Sequence, residues 1–306
     1  MSAQTDAFVA PISVVICTRN RGAQAAEAAR AVLDDPTPFE LIVVDQSTND
    51  ETVDALNSLP PDSRMRVVRS SLRGLSVARN TGAQAAQAPI IAFTDDDCRP
   101  ASGWVSTLLR VFADEPDAAM VFGRVHLPTD QPTVGFAASF EPTQRVLLGI
   151  PDPKVALGIG ANFAIRRRIL EQLGGFDPFL GAGAEHLRAG EETDLLIRAL
   201  HRGHRVINAV ECDVLHLGVR SGMDIRPLVI GYQLGTGAAF GKLVRLSGAP
   251  GLKGFAERAA FYAAELARDC VQLRRPRPGV LCYFLAGAAL TLRYRVDREQ
   301  SVFKPR

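Results

Sequence analysis

No two of the five cysteines (Cys17, Cys98, Cys212, Cys270, Cys282) stand at C-x-x-C spacing. Their odd number and wide scatter argue against a disulfide framework or a thiolate zinc site, and a reducing compartment fits. An excess of one charge is missing too. The 35 Lys and Arg against 33 Asp and Glu leave a net charge of +2, so nothing in the total calls for nucleic acid or a strongly acidic partner. Lysine is scarce, occurring only at 154, 242, 253 and 304, and that skew toward arginine carries no functional reading of its own. The opening stretch MSAQTDAFVAPISVV lacks a basic segment followed by a long apolar run, so no signal peptide is expected. The expected location is cytoplasmic, with the inner face of the cell membrane as a peripheral alternative. Two uncharged runs, 227–241 and 278–292, are 15 residues each, short of the ~20 apolar residues that cross a bilayer.

What is present is an alternation of short apolar runs and helical patterns. ISVVIC (12–17), ELIVVD (40–45), RVVR (66–69) and IIAF (90–93) read as buried strands, and alanine-rich helical segments separate them. That order implies an α/β domain with a mostly parallel, Rossmann-like sheet flanked by helices, whose ligands sit at the carboxyl ends of the strands. Thr18, Arg19 and Asn20 follow the first strand, Asp45 ends the second, and Asp95, Asp96 and Asp97 follow the fourth. Further on, AAMVFGRVHL reads as a strand. ALGIGANFAIRR reads as a strand interrupted by Gly158 and Gly160, EETDLLIRALHRG as a helix stopped at Gly203, and RVINAVECDVLHLG as one or two edge strands. Beyond about 224 the chain becomes a helical extension. Its two uncharged runs, flanked by arginines, either pack on the domain or lie in a membrane interface.

Three adjacent carboxylates repel one another, and a cation is the obvious reason to keep them. In an extended segment Asp95 and Asp97 point the same way and Asp96 elsewhere. Oxygen ligands suit Mg²⁺ or Mn²⁺, which complete their shell with phosphate and water. The alternative is a solvated acidic turn capping the helix ASGWVSTLLRVF. Glu191, Glu192 and Asp194 open a helix, where the macrodipole favours them, or they include a general base. His216, after a strand, is either structural or a neutral imidazole ligand of the same metal.

Six fragments in order resemble glycosyltransferase family 2, whose fold is called GT-A: SVVICTRNR, LIVVDQSTNDET, GLSVARNTGAQAA, IIAFTDDDC, GANFAIRR and GEETDLLIRALHRG. The likeness runs from about 12 to 218. Gln46 stands where the family usually has a second aspartate. The resemblance implies a GT-A domain over 1–223, with a nucleotide half at about 11–125 and an acceptor half at about 126–223, and then the extension 224–306. It implies Asp97 as the main metal ligand, with Asp95 near metal or ribose and Asp96 in the nucleotide-sugar group. Thr18, Arg19 and Asp45 would border the nucleobase, and Arg79 would hold the nucleotide. Glu192 falls on the family's base position, with Glu191 as the competing choice, and Asp194 would hold the acceptor or brace the loop. The implied activity is inverting transfer from a nucleoside-diphosphate sugar to a hydroxyl of a glycan or lipid-linked acceptor, in cell-surface polysaccharide or glycolipid synthesis. The alternative is a non-catalytic nucleotide-sugar-binding or scaffold protein. Aspartate-dependent phosphatases also carry a DxD after a parallel strand, but on an early strand with a hydroxyl residue beyond it. Here the triplet follows the fourth strand and Cys98-Arg99 come next.

Overall fold

The computed structural model describes residues 10–128, 138–142, 146–148, 158–185, 187–218, 225–272 and 278–306. The amino-terminal part alternates as the apolar runs require: β1 (Ile12–Thr18), α1 (Gly22–Leu33), β2 (Glu40–Asp45), α2 (Glu51–Asn57), β3 (Met65–Arg69), α3 (Leu75–Ala85) and β4 (Ile90–Asp95). These strands lie parallel in the order β3-β2-β1-β4, and their register puts Thr18 beside Asp45 and Cys17 beside Asp95. The carboxyl ends therefore finish level, and the polar residues that follow share one edge.

The remaining elements of the body are β5 (Cys98–Pro100), α4 (Trp104–Asp114), β6 (Ala118–His126), β7 (Val146–Leu148), β8 (Asn162–Arg166), α5 (Arg167–Gln172), α6 (Glu191–His201) and β9 (Arg205–His216). β8 runs antiparallel between β4 and β6, so the sheet is mixed beyond its parallel half. Two expectations are corrected here. β9 is one twelve-residue strand paired to β6 on one side and to β5 and β7 on the other, so it is not an edge. Its run of buried positions from Val206 to Ala209 reflects that interior place. The strand expected across Gly158 and Gly160 begins only at Asn162, and residues 156–157 of that expectation lie outside the described residues. Phe93, Phe122, Phe163 and Phe176 pack ring against ring behind the sheet's functional edge.

The C-terminal part holds α7 (Ile225–Ser247), α8 (Ala249–Val271) and α9 (Pro278–Leu290), a 3-10 turn, and a hairpin of β10 (Arg295–Asp297) and β11 (Val302–Lys304). The hairpin was not expected from the sequence. Ile197 of α6 shares an apolar cluster with Ala239, Phe240 and Leu243 of α7 and Phe284 of α9. A Cβ on Gly190 would come 2.7 Å from the backbone of Gly235, so α7 seats directly on the residue that opens α6. The C-terminal helices thus pack on the body. Among the described residues, no helix is long and apolar enough to cross a membrane.

Candidate active site

β1, β2 and β4 deliver their polar residues to a cleft of about 490 Å³. Asp95, Asp96 and Asp97 leave β4, and the short strand β5 then pairs Cys98 with His216 at the end of β9. That pairing brings the His216 ring to the aspartates, with its Nε2 3.6 Å from Asp97 Oδ1. Possible ligand atoms of Asp95, Asp97, Cys98 and His216 all lie within 4.8 Å of one another. His216 Nδ1 is buried without a partner. A side chain on Gly218 would collide with the Asp97 carboxylate, so glycine there leaves room for it. The Cys98 thiol is held above its ordinary value by burial, then by Asp95 and Asp97. Two carboxylates and an imidazole thus remain as the natural donors, a set suited to a hard divalent cation. The triplet does not cap the next helix, because β5 intervenes before α4.

Asp96 turns away from its neighbours. Its carboxylate accepts from Thr18 Oγ1 at 2.8 Å and from Arg21 Nη1 at 2.9 Å, and burial pushes its pKa up to about 6 despite both donors. Arg21 also reaches Asp97 at 3.1 Å. Arg19 is exposed at the rim of the cleft. Asn20, at φ 54, accepts from the Thr48 N–H and donates its own N–H to Ser47, tying the loop after β1 to the loop after β2. Asp45 is buried. One oxygen accepts from the Ser47 N–H, while Oδ2 has no hydrogen-bond partner and lies 3.8 Å from Arg69 Nε. Gln46 donates to the Gly74 carbonyl at 3.2 Å and accepts from the Gly74 N–H at 3.3 Å. An aspartate could only accept, so the amide replaces it where the turn at Gly74 (φ +119) needs clamping from both sides.

Arg79 lies at the centre. Fully buried on α3, it donates to Glu191 Oε1 at 2.9 Å, to Asp95 Oδ1 at 3.2 Å and to the Gly160 carbonyl at 3.0 Å, beneath the faces of Phe163 and Phe176. Gly160 has to be glycine, since a Cβ there would stand 2.6 Å from the guanidinium. The two glutamates differ sharply as a result. Glu191 is neutralised by Arg79, whereas Glu192 forms no ion pair among the described residues and still lines the cleft. Burial, and then repulsion from Glu191, push Glu192 up to about 8.

Asp194 is not brought to the cleft. Its carboxylate pairs with Arg198 at 2.8 Å and with Lys242 Nζ at 2.8 Å, and all three groups are buried. Lys242 also meets Asp177 at 2.5 Å, whose same oxygen accepts from the Phe303 N–H. That places Asp194 as a brace between α6, α7 and the terminal hairpin. Reading the sequence missed Lys242, Arg21 and the cleft residues Arg73, Arg188, Leu228 and Tyr232. Only Arg21 carried a signal, its place in the TRNR segment after β1.

The model of the family described as Glycosyl transferase family 2 matches residues 13–174, just over half of the chain. This chain is a family 2 glycosyltransferase. It is 29% identical over 220 residues to a glucosyl-dolichyl phosphate glucuronosyltransferase of Haloferax volcanii, covering 67% of this chain and 68% of that protein. A pre-mycofactocin glycosyltransferase of Mycobacterium tuberculosis is 31% identical over 139 residues, 44% of this chain and 28% of that protein, so the match spans little more than a quarter of it. The succinoglycan biosynthesis protein ExoU of Rhizobium meliloti is 27% identical over 221 residues, covering 66% and 60%. In solved structures, the glycosyltransferase resembles the mannosyltransferase PcManGT of Pyrobaculum calidifontis, whose structure holds GDP-Man and Mn²⁺. The TM-score is 0.63 at 18% identity, over 93% of this chain and 88% of that one, a likeness of fold. The fold is GT-A.

Proposed function

We propose that this glycosyltransferase moves a sugar from a nucleoside diphosphate to a hydroxyl of a glycan or lipid-linked acceptor, with inversion at the anomeric carbon. One observation carries the reading. Of the acidic residues opening α6, Arg79 neutralises Glu191 and a buried pair of cations takes Asp194, which leaves Glu192 as the cleft-lining member without an ion pair among the described residues. Glu192 accepts the acceptor hydroxyl's proton as that oxygen bonds to the anomeric carbon. The bond from that carbon to the diphosphate oxygen breaks, and its electron pair leaves with the nucleoside diphosphate. Attack from the face opposite the leaving group inverts the configuration.

Asp95, Asp97 and His216 would hold Mg²⁺ or Mn²⁺, with the partnerless His216 nitrogen and the space at Gly218 supporting the fit. Such an ion supplies positive charge to the departing diphosphate. Thr18, Arg19 and Asp96 belong to the donor side, with Asp45 buried beside them at the strand ends. Arg79 orients Asp95 and Glu191 together. Residues 1–223 form the transferase body, and 224–306 form an extension that closes the acceptor side through Leu228 and Tyr232. The names of the Haloferax and Rhizobium relatives support glycolipid or polysaccharide synthesis as the setting.

The test is E192Q. Calorimetry should show donor binding close to that of the parent, while transfer falls by about 10²–10⁴-fold. Parental turnover in E192Q would remove Glu192 from the reaction.

A further inference from the structure

Charge is distributed very unevenly along the chain. Residues 225–306 carry fourteen Lys and Arg against five Asp and Glu, a net +9, whereas residues 1–224 carry 21 against 28, a net −7. The near-neutral total hides this polarity.

The basic part also exposes apolar surface. On α9, Cys282, Leu285, Ala286 and Ala289 are exposed at helical spacing, and Leu292 continues the stripe into the turn beyond. Leu285 is 43% exposed and Leu292 62%. On α8 the outward positions include Leu252, Ala256, Ala260, Ala263, Ala267 and Val271, with Lys253 and Arg268 near the two ends. Of the three acids of α8, Asp269 is buried, while Glu257 and Glu265 are partly exposed and pair with Lys253 and Arg268, and α9 has no charged residue. Arg293, Arg295 and Arg298 are exposed just beyond α9.

We propose that the outward sides of α8 and α9, with the arginines just beyond α9, form a docking face for an anionic lipid bilayer, the helices lying on the surface rather than crossing it. An acid-free apolar stripe on α9 with Arg293, Arg295 and Arg298 at its margin, beside a helix whose partly exposed acids are paired to cations, is what a headgroup layer accommodates. A second copy is the poorer occupant, because pairing this face with itself would oppose the exposed Arg293, Arg295 and Arg298 of both copies. The face adjoins the cleft through α7, where Val229 is exposed and Leu228 and Tyr232 line the cavity. A bilayer on this face therefore lies beside the acceptor mouth. This last point rests on the transferase reading, but the docking does not.

Sedimentation of the full chain with phosphatidylcholine vesicles, with and without phosphatidylglycerol, tests the proposal. The protein should pellet with anionic vesicles, remain in the supernatant with neutral ones, and be partly released by salt. L285S/L292S alters only exposed positions and should lower partitioning roughly tenfold or more. R293Q/R295Q/R298Q should lower it by about 100-fold, at roughly fivefold for each juxtamembrane cation. Both variants should keep the parent's melting temperature and its thermal response to UDP, GDP and dTDP sugars. That response reads the transferase assignment separately. Four results would overturn the docking face: no pelleting with anionic vesicles, equal pelleting with neutral ones, parental pelleting of L285S/L292S, or a stable homodimer that L285S/L292S dissolves.

Discussion

Glu192 is a carboxyl group held in its protonated form by its surroundings, and pH therefore acts on it in two opposed ways. In the proposed reaction transfer needs the carboxylate, so the rate should rise with pH through about 8 and level off above it. Stability runs the other way. The folded state retains the proton at pH values where an unfolded glutamate, at its ordinary 4.5, has lost it. Glu192 thus favours folding fully below about pH 4.5, and that contribution drains away as pH climbs toward 8. E192Q cannot ionise, so thermal melts should find it higher-melting than the parent at pH 8.5 and level with it near pH 4.5. Lys242 makes a different prediction. K242M would leave Asp177 and Asp194 buried with less positive charge, and urea unfolding should show a loss of about 3–5 kcal/mol. That Asp95, Asp97 and Glu192 meet at one cleft was legible because a strand end or a helix start fixes where a side chain points. The role of Asp194 was not, since it is set by a lysine far along the chain, and no local pattern announces such a partner.

Among the elements, the turn before β8 governs Arg79. G160A should push a methyl group into the guanidinium, loosen its grip on Asp95 and Glu191, and cost about 1–3 kcal/mol, with a drop in transfer measurable in the same preparation. The parallel strands were readable because burial on both faces writes continuous apolar runs. β9 was misread as an edge because Glu211 and Asp213 interrupt its apolar run near the end that meets β5. β10 and β11 are three residues each, too short to show a period, and their place depends on Phe303 reaching Leu180, Leu187 and Ala238.

For the whole molecule, a bound cation should stabilise only the folded form. Mn²⁺ should raise the melting temperature of the parent, D97N should lose that rise, and chelation should reverse it. The α/β architecture and its functional edge could be read in advance, because layer order follows from the sequence of elements. The seating of the C-terminal helices could not, since it depends on glycine contacts between distant segments. The contact of Gly190 with Gly235, reinforced by Lys242, makes the tail a structural member of the mounting of α6 and so of Glu192. Chimeras that splice in another transferase's tail at residue 224 should therefore lose turnover unless they keep glycine at 235 and lysine at 242, however well the foreign helices fold.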